Sequence, residues 1–241
     1  MEFKLQSRAD QRALYNKIQQ GEVPHLLAYR KLRESLVSKR QRDDFMAEVF
    51  ESSALYCLHV LSGNSRKGAA QDLDSHLYYG ELTKALAQLV DEIYPCLPDR
   101  ATQSEFVKLY ILHLCAREGT SKILDYLHRS NAFSGDRHTK FVTAFVVALK
   151  GKNVDYVELS RIWNTSDERE RVLTSYCLQS YRVRVMSILC RAYLSLPGSF
   201  LKKVLLVEND SLETVLGDLL DDLSSRKQED GSWKLRPFYL Q

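Results

Sequence analysis

Histidine and carboxylate side chains are the residues of this chain that would carry acid–base or metal chemistry. The six histidines follow no metal-ligand spacing, and the chain has no nucleotide-binding, metalloprotease or nucleophile-elbow motif. Adjacent carboxylates occur at Asp43/Asp44, Asp91/Glu92 and Asp221/Asp222. Neighbours on a helix point about 100° apart, so such a pair does not readily share one proton or one metal ion. The sequence therefore predicts structural histidines, solvated carboxylates and a chain that is not an enzyme and has no metal or cofactor.

The cysteines and the hydropathy pattern bear on the compartment. The five cysteines, at positions 57, 96, 115, 177 and 190, are odd in number and widely spaced, which predicts free buried thiols and neither a zinc site nor a disulfide framework. The chain begins without an apolar signal segment, and no apolar run reaches the roughly 18–20 residues of a membrane span. We therefore expect a nuclear or cytosolic protein with no membrane contact.

Basic side chains in the first 42 residues form one candidate nucleic-acid surface. This segment has ten basic and four acidic residues, a net charge of +6, whereas the whole chain has a net charge of only +3. The candidate contacts are Arg30, Lys31, Arg33, Lys39, Arg40 and Arg42. Two interpretations stay open: a solvated helix face, or a salt-dependent contact with RNA or with an acidic protein.

A second candidate surface lies near the carboxyl terminus. Its basic residues are Lys202, Lys203, Arg226, Lys227, Lys234 and Arg236, and Trp233 is a candidate for stacking on single-stranded bases. The alternatives are that Trp233 packs in the core while the lysines are solvated, that the basic rim contacts an acidic partner, or that it joins a partner's surface to form a composite nucleic-acid platform.

Helical periodicity dominates the elements that must position these residues, and the chain has only 10 Gly and 5 Pro. Capping boxes are predicted at Thr102/Glu105 and Thr165/Glu168, and a helix cap at Asn153. Gly119 and Gly151, which are 32 positions apart, each end a helix that precedes another helix. The spacing predicts stacked helical hairpins of the tetratricopeptide-like kind. The predicted helices span 43–61, 74–94, 104–117, 121–130, 139–150, 153–163 and 168–194.

The carboxyl-terminal pattern is different and predicts a winged helix. A short helix over 200–207 and a one-faced helix over 211–224 precede Asp230-Gly231, which favours a type I′ hairpin. The second of these helices has an acidic polar face, with Glu213, Asp218, Asp221 and Asp222, which phosphate would repel, so insertion into the DNA major groove is disfavoured. We predict a basic helical segment (1–42), a helical-repeat domain (43–166) and a winged-helix domain joined through a long helix (167–241).

Several short motifs, in a fixed order, resemble the Sac-three/GANP family. Residues 29–36 (YRKLRESL) and 45–54 (FMAEVFESSA) resemble the arginine-rich first helix of that family and its F-x-x-x-V-[YF]-E-x-x-A helix. Residues 104–112 (SEFVKLYIL) resemble its E-F-x-x-Y-x-L helix, and the segment from Arg182 to Leu201 resembles the start of its winged helix. The resemblance covers roughly residues 29 to 220.

The resemblance implies a mainly α PCI-type module in which helical repeats are joined to a winged helix. Members of the family are scaffolds in nuclear complexes for messenger-RNA processing and export. They pair with a second PCI-domain protein through adjacent winged helices, and an acidic peptide of the DSS/Sem type commonly clamps that partner. Two alternatives stay open: a direct single-stranded nucleic-acid binder, and a subunit of a proteasome-lid or initiation-factor type of PCI assembly.

Overall fold

Helices make up most of the described part of the chain in the computed structural model. The structure describes residues 5, 7–40, 42–65, 72–117, 123, 125–128, 137–150, 155–207, 211–220 and 226–235. The helices there are α1 (Arg8–Gln19), α2 (His25–Ser38), α3 (Asp44–Ser65), α4 (Asp72–Gln88), α5 (Gln103–Arg117), α6 (Arg137–Lys150), α7 (Tyr156–Thr165), α8 (Glu168–Ala192), α9 (Gly198–Val204) and α10 (Leu212–Gly217). The mainly helical fold class predicted from the sequence is confirmed.

Helices that are adjacent in the sequence pack on each other, as in a helical repeat. Contacts join α1 to α2, α3 to α4 and α6 to α7, and α2 to α3, α4 to α5 and α5 to α6. The long helix α8 packs back against α5 and α3. Ile123 and residues 125–128 are helical too, within the predicted 121–130 helix. Gly119 and Gly151, on which the predicted repeat spacing rests, lie outside the described residues.

The helix ends are set by local hydrogen bonds, and two of them differ from the predicted caps. The cap of helix α7 is Asp155, whose side chain accepts from Glu158 N; the predicted cap, Asn153, lies outside the described residues. Helix α8 has its capping box at Asp167 and Glu170, two residues beyond the predicted box. The shift follows from the backbone, because Ser166 still donates its N–H to the end of the preceding helix.

The helix that begins at α4 changes its winding before Pro95. The α-helical part ends at Gln88, and Leu89–Ile93 form a π-helical turn that is followed by a short 3₁₀ turn, Tyr94–Cys96. A proline has no N–H to continue the helical ladder, which explains why regular winding stops here. The sequence predicted the end of this helix but not its wider final turn.

One hydrophobic cluster runs from Leu14 in α1 to Leu235 near the carboxyl terminus. It continues across residues 42 and 166, and the predicted domain boundaries stay predictions. Paired polar groups are built into this interior. Lys108 Nζ lies 2.6 Å from Glu170 Oε1, and both side chains are buried. Arg100 and Tyr94 bond to the carboxylate of Glu51. Buried charges are tolerated only when they are paired in this way.

A small unit with two short strands ends the described chain. Strand β1 (Ser195–Pro197) pairs antiparallel with β2 (Ser232–Lys234), with Leu196 opposite Trp233, and a further antiparallel bridge joins Lys227 to Trp233. The order from the long helix onward is α8, β1, α9, α10, the Lys227 bridge and β2. Strand β1 was not predicted, because three residues that include a proline show no alternation.

The turn that leads into β2 is a three-residue loop. Gln228 N donates to Ser232 O, and Gly231 N donates to Gln228 O. Among the described residues of this turn only Gly231 has a positive φ, of 79°. The predicted type I′ turn, which needs positive φ at both Asp230 and Gly231, is therefore wrong. Asp230 keeps an ordinary backbone conformation, and its carboxylate accepts from Ser232 N.

Candidate functional site

The carboxyl-terminal unit is held in place by two side chains of α8 that cap the end of α9. The Tyr181 hydroxyl donates to Val204 O at 2.5 Å, and the Arg182 guanidinium donates to Leu205 O at 3.0 Å and Leu206 O at 3.2 Å. Carbonyls at a helix end have no partner within the helix and carry partial negative charge, so an arginine stabilises them. This contact fixes the direction in which α9 presents its lysines.

Trp233 lies at the centre of the small sheet and is only 3% exposed. A Cβ atom on Gly198 would lie 3.1 Å from the backbone oxygen of Gly231 and 3.3 Å from Trp233 Nε1, so the backbone passes close over the indole. The proposed stacking of Trp233 on nucleic-acid bases is wrong for this arrangement, because its ring faces are covered. The alternative interpretation, packing in the core, is the one observed.

Two of the exposed lysines of this unit act on one carboxylate. Lys202 and Lys203 are exposed on α9, and Lys227 Nζ lies 2.9 Å from Glu213 Oε1 on α10. The hydrogen bond from Lys227 lowers the pKa of Glu213, and the charges of Lys227 and Lys202 lower it further. Lys202 and Lys227, which are 25 positions apart in the sequence, therefore act on the same carboxylate and belong to one cationic surface.

The other carboxyl-terminal candidates have different surroundings. Arg226 is half-buried and donates to the backbone oxygens of Leu235, at 3.1 Å, and of Lys234, at 3.4 Å. It therefore supports the backbone beside β2. Lys234 is half-buried on that strand. Arg236, the remaining candidate, lies outside the described residues.

The amino-terminal candidates do not form one exposed patch. Arg33 is 5% exposed and pairs with the equally buried Glu81 of α4, so its proposed role as an RNA contact is wrong. Arg42 pairs with Glu92 at 3.1 Å, and Lys39 Nζ donates to Leu5 O. Arg30 and Lys31 both pair with Glu34 at about one helical turn's spacing. Arg40 is exposed, in a left-handed backbone conformation after α2.

The acidic helix of the unit is shorter than predicted. Helix α10 ends at Gly217, and Asp218 follows as its cap. Glu213 and Asp218 are exposed as expected, whereas Asp221 and Asp222 lie outside the described residues. One of the carboxylates that were expected to repel phosphate is therefore engaged by Lys227.

A further charge signal in the sequence, which motif spacing does not reveal, runs through α8, β1 and α9. Residues 171–207 contain six basic residues and no aspartate or glutamate, and the first acid after them is Glu208. Arg182 and Arg184 in this stretch bond to backbone oxygens at helix ends, Arg184 to Leu149 O at 2.7 Å. Counting charge in windows along the chain would have found the stretch.

The cysteine thiols and His113 are the remaining groups that could be reactive, and most of them are buried. Cys57, Cys115 and Cys177 are buried, and burial raises the pKa of each thiol to about 12. Cys96 is exposed and Cys190 half-buried, so the prediction of buried thiols holds for three of the five. His113 is buried against the ring of Tyr79, with 4.8 Å between centroids.

The described residues also bear on metal binding and on membrane insertion. In the part of the chain that the structure describes, no group of three or more His, Cys, Asp or Glu residues could hold a metal ion. No described helix is both long enough and apolar enough to span a bilayer. Comparison with protein-family models and with curated protein sequences gives no match for this chain.

Proposed function

We propose that this chain is a non-catalytic nuclear scaffold of the PCI type, whose carboxyl-terminal unit is a winged helix that docks a second PCI-domain protein. The observation that carries the proposal is the order of elements around Trp233: helix, strand, two short helices, then a hairpin that pairs with the first strand. A winged helix is a helix-turn-helix unit to which such a hairpin is added. The helical-repeat packing that precedes it supports the same module.

The unit's surface favours protein docking over base recognition. Trp233 is covered, Arg226 supports the backbone, and an exposed carboxylate at Glu213 lies among the lysines. A surface that mixes exposed lysines with a carboxylate suits a partner with both charges. Proteins that bind single-stranded nucleic acid without sequence preference combine aromatic stacking with a continuous cationic groove.

RNA contact is the second candidate, because Lys202, Lys203 and Lys227 are exposed on one small unit. We propose that such contact accompanies docking and is electrostatic, with an affinity that falls steeply as salt is raised. In this proposal the complex serves messenger-RNA processing or export. An acidic DSS/Sem-type peptide would be bound by the partner.

The test is quantitative affinity purification of the full chain from cells with a matched pair of variants. One variant is Lys202→Glu/Lys203→Glu/Lys227→Glu, and the control is Arg30→Glu/Lys31→Glu, which changes exposed charge at the opposite end of the sequence. We expect a PCI-domain partner with the wild-type chain and the control, and a strong loss with the triple variant.

The outcomes separate the candidate functions. Recovery of proteasome-lid or initiation-factor subunits would mean that the chain belongs to another PCI assembly. Tight binding of single-stranded RNA by the purified chain alone, with no PCI partner recovered, would favour a direct nucleic-acid binder. Turnover of a substrate by the purified chain would overturn the scaffold proposal altogether.

A further inference from the structure

The outer side of α8 is a solvent-facing stripe with an unusual composition. Residues at positions 176, 179, 180, 183, 184, 187, 188 and 191 are all exposed, and this spacing of three and four residues places them on one side of a helix. The stripe from Tyr176 to Ile188 is about 18 Å long at 1.5 Å per residue. It is long enough to receive about three turns of another helix.

Exposed apolar side chains are concentrated on this stripe and directly after it. Val183 is 52% exposed, Ile188 51% and Tyr176 42%. Tyr193 and Leu194 extend the apolar surface beyond the end of the helix. Single exposed apolar residues are ordinary, but several along one exposed side of a helix, set among polar residues, are typical of an interaction surface.

The charged residues on the stripe are all of one sign. Arg184 and Arg191 lie among the apolar residues, and the sequence from 171 to 207 contains no carboxylate that could neutralise them from within the stretch. The stripe is therefore both apolar and cationic, and a complementary surface would present apolar residues beside carboxylates.

Two of the side chains are already held in position. The ring of Tyr176 packs on Tyr79 of α4, with 4.3 Å between centroids. Arg184 donates to Leu149 O at the end of α6. A partner would lose less conformational entropy by binding residues that are fixed beforehand, and tyrosine and arginine are the residue types that dominate binding energy at interfaces.

We infer that the α8 stripe is a second docking surface, distinct from the lysine-bearing surface of Lys202, Lys203 and Lys227, and that it binds an acidic amphipathic helix of another protein. A second copy of this chain fits poorly, because antiparallel packing about the middle of the stripe would bring the Arg184 side chains of the two copies together. Nucleic acid also fits poorly, because the apolar side chains of Val183 and Ile188 offer phosphate no hydrogen bond. The inference holds whether or not the winged-helix proposal does.

The test uses the purified full chain and two fluorescent 18-residue helical peptides. One peptide has leucines on one face and glutamates beside them, and the matched peptide has lysine at each glutamate position. Fluorescence anisotropy is measured at 150 mM and 500 mM salt. We expect the glutamate peptide to bind at least tenfold more tightly than the lysine peptide at the lower salt concentration, with a smaller ratio at the higher one.

Variants locate the binding site on the stripe. Val183→Ser/Ile188→Ser is expected to weaken the glutamate peptide at least tenfold, and Arg191→Glu severalfold. The matched control is Leu77→Ser/Val147→Ser, which removes two exposed apolar side chains elsewhere and is expected to leave binding unchanged. Circular dichroism is the folding control, and all variants are expected to keep their helical content because the changed residues are exposed.

Three results would overturn the inference. The first is equal binding of the two peptides, and the second is unchanged binding by Val183→Ser/Ile188→Ser. The third is competition by single-stranded RNA that depends on Arg191 and not on Val183 or Ile188, which would make the stripe a nucleic-acid surface. Loss of the PCI partner from the winged-helix unit, with peptide binding intact, would refute the proposed function and leave this inference standing.

Discussion

The two cationic regions of the molecule use their charges in different ways. In the amino-terminal segment three of the cations meet carboxylates that are distant in the sequence: Arg8 pairs with Asp43, Arg33 with Glu81 and Arg42 with Glu92. In residues 171–207 the contacts of Arg182 and Arg184 are with backbone oxygens at helix ends, and the stretch has no acid of its own.

The difference shows that local net charge along a sequence does not tell which cations meet carboxylates in the fold. Both stretches have an excess of six basic residues, but folding supplies counter-charges for the amino-terminal segment from Asp43 just before α3, Glu81 in α4 and Glu92 in the π-helical turn. In residues 171–207 uncharged runs separate the basic residues. An interaction with an acidic partner is therefore better sought on α8 and α9 than on α1 and α2.

The largest effect on stability is expected at Glu81. Glu81→Ala should reduce the free energy of unfolding by about 3–5 kcal/mol, because it leaves Arg33 charged and buried without its partner. Urea denaturation measures this loss. The control is Lys84→Ala, which removes the exposed partner of the same carboxylate and should cost under about 1 kcal/mol. Equal losses for the two variants would mean that the buried pair of Arg33 and Glu81 contributes no more to stability than the exposed contact of Lys84.

A smaller effect is expected where Gly198 passes over Trp233 in the carboxyl-terminal unit. Gly198→Ala should destabilise the chain by about 1–3 kcal/mol, because the new Cβ meets backbone that cannot move aside easily. Gly80→Ala, in the middle of α4 with open space around it, should stabilise by about 0.5–1 kcal/mol. Opposite shifts in urea midpoint are the expected outcome. A stable Gly198→Ala chain would show that Trp233 packs less tightly than described.

Lowering the pH should weaken the ion pair of Arg33 with Glu81. Burial raises the pKa of Glu81, but the hydrogen bond from Lys84 and the charge of Arg33 outweigh it, so the pKa is lowered overall. A carboxyl group with a lowered pKa contributes stability that is complete above its unfolded pKa, near 4.5, and is lost as pH falls through the folded value.

Urea midpoints measured from pH 7 to pH 3 follow this loss. The wild-type chain should lose stability below pH 4.5 more steeply than Glu81→Ala, which lacks this carboxyl group. Parallel curves for the two chains would contradict the assignment of the stabilising charge to Glu81.

The smallest expected effect is at the exposed lysines of α9. Lys202→Ala/Lys203→Ala should change the free energy of unfolding by less than about 0.5 kcal/mol, since surface substitutions of this kind rarely matter to stability. If the proposed function is right, the same variant should reduce recovery of the proposed PCI-domain partner in pull-down. A loss of stability above about 1 kcal/mol would mean that these lysines stabilise the fold, as the paired cations of the amino-terminal region do. The two regions would then not differ in how they use their charges.

Much of the helical architecture is predictable from the sequence, because apolar periodicity extends over many residues. The predicted helices over 43–61, 104–117 and 139–150 match α3, α5 and α6 to within a few residues. Long amphipathic segments signal their type clearly, whereas their ends depend on local competition for hydrogen bonds. This competition is why Asp155 and Asp167 act as caps in place of neighbouring residues.

The features that were not predicted depend on distant partners. The ion pair of Arg33 and Glu81 spans 48 positions, and no spacing rule links them. The cover over Trp233 comes from Gly198, which directly follows a strand too short to show alternation. For the same reason the sequence does not show that Lys202 and Lys227 act on the same carboxylate, Glu213. It does identify each of the two lysines as a candidate contact.

The edge of the small sheet has a consequence for self-association. Leu235 N donates to Leu194 O and Gly198 N donates to Gly231 O, so the alternation of an antiparallel ladder turns the backbone groups of Ser195 and Pro197 outward. Proline has no N–H, which leaves Ser195 as the only amide donor on the outer side of β1. Open strand edges are templates for fibril growth. This short, proline-blunted edge is therefore a poor template for β-aggregation, even though Tyr193 and Leu194 are exposed beside it.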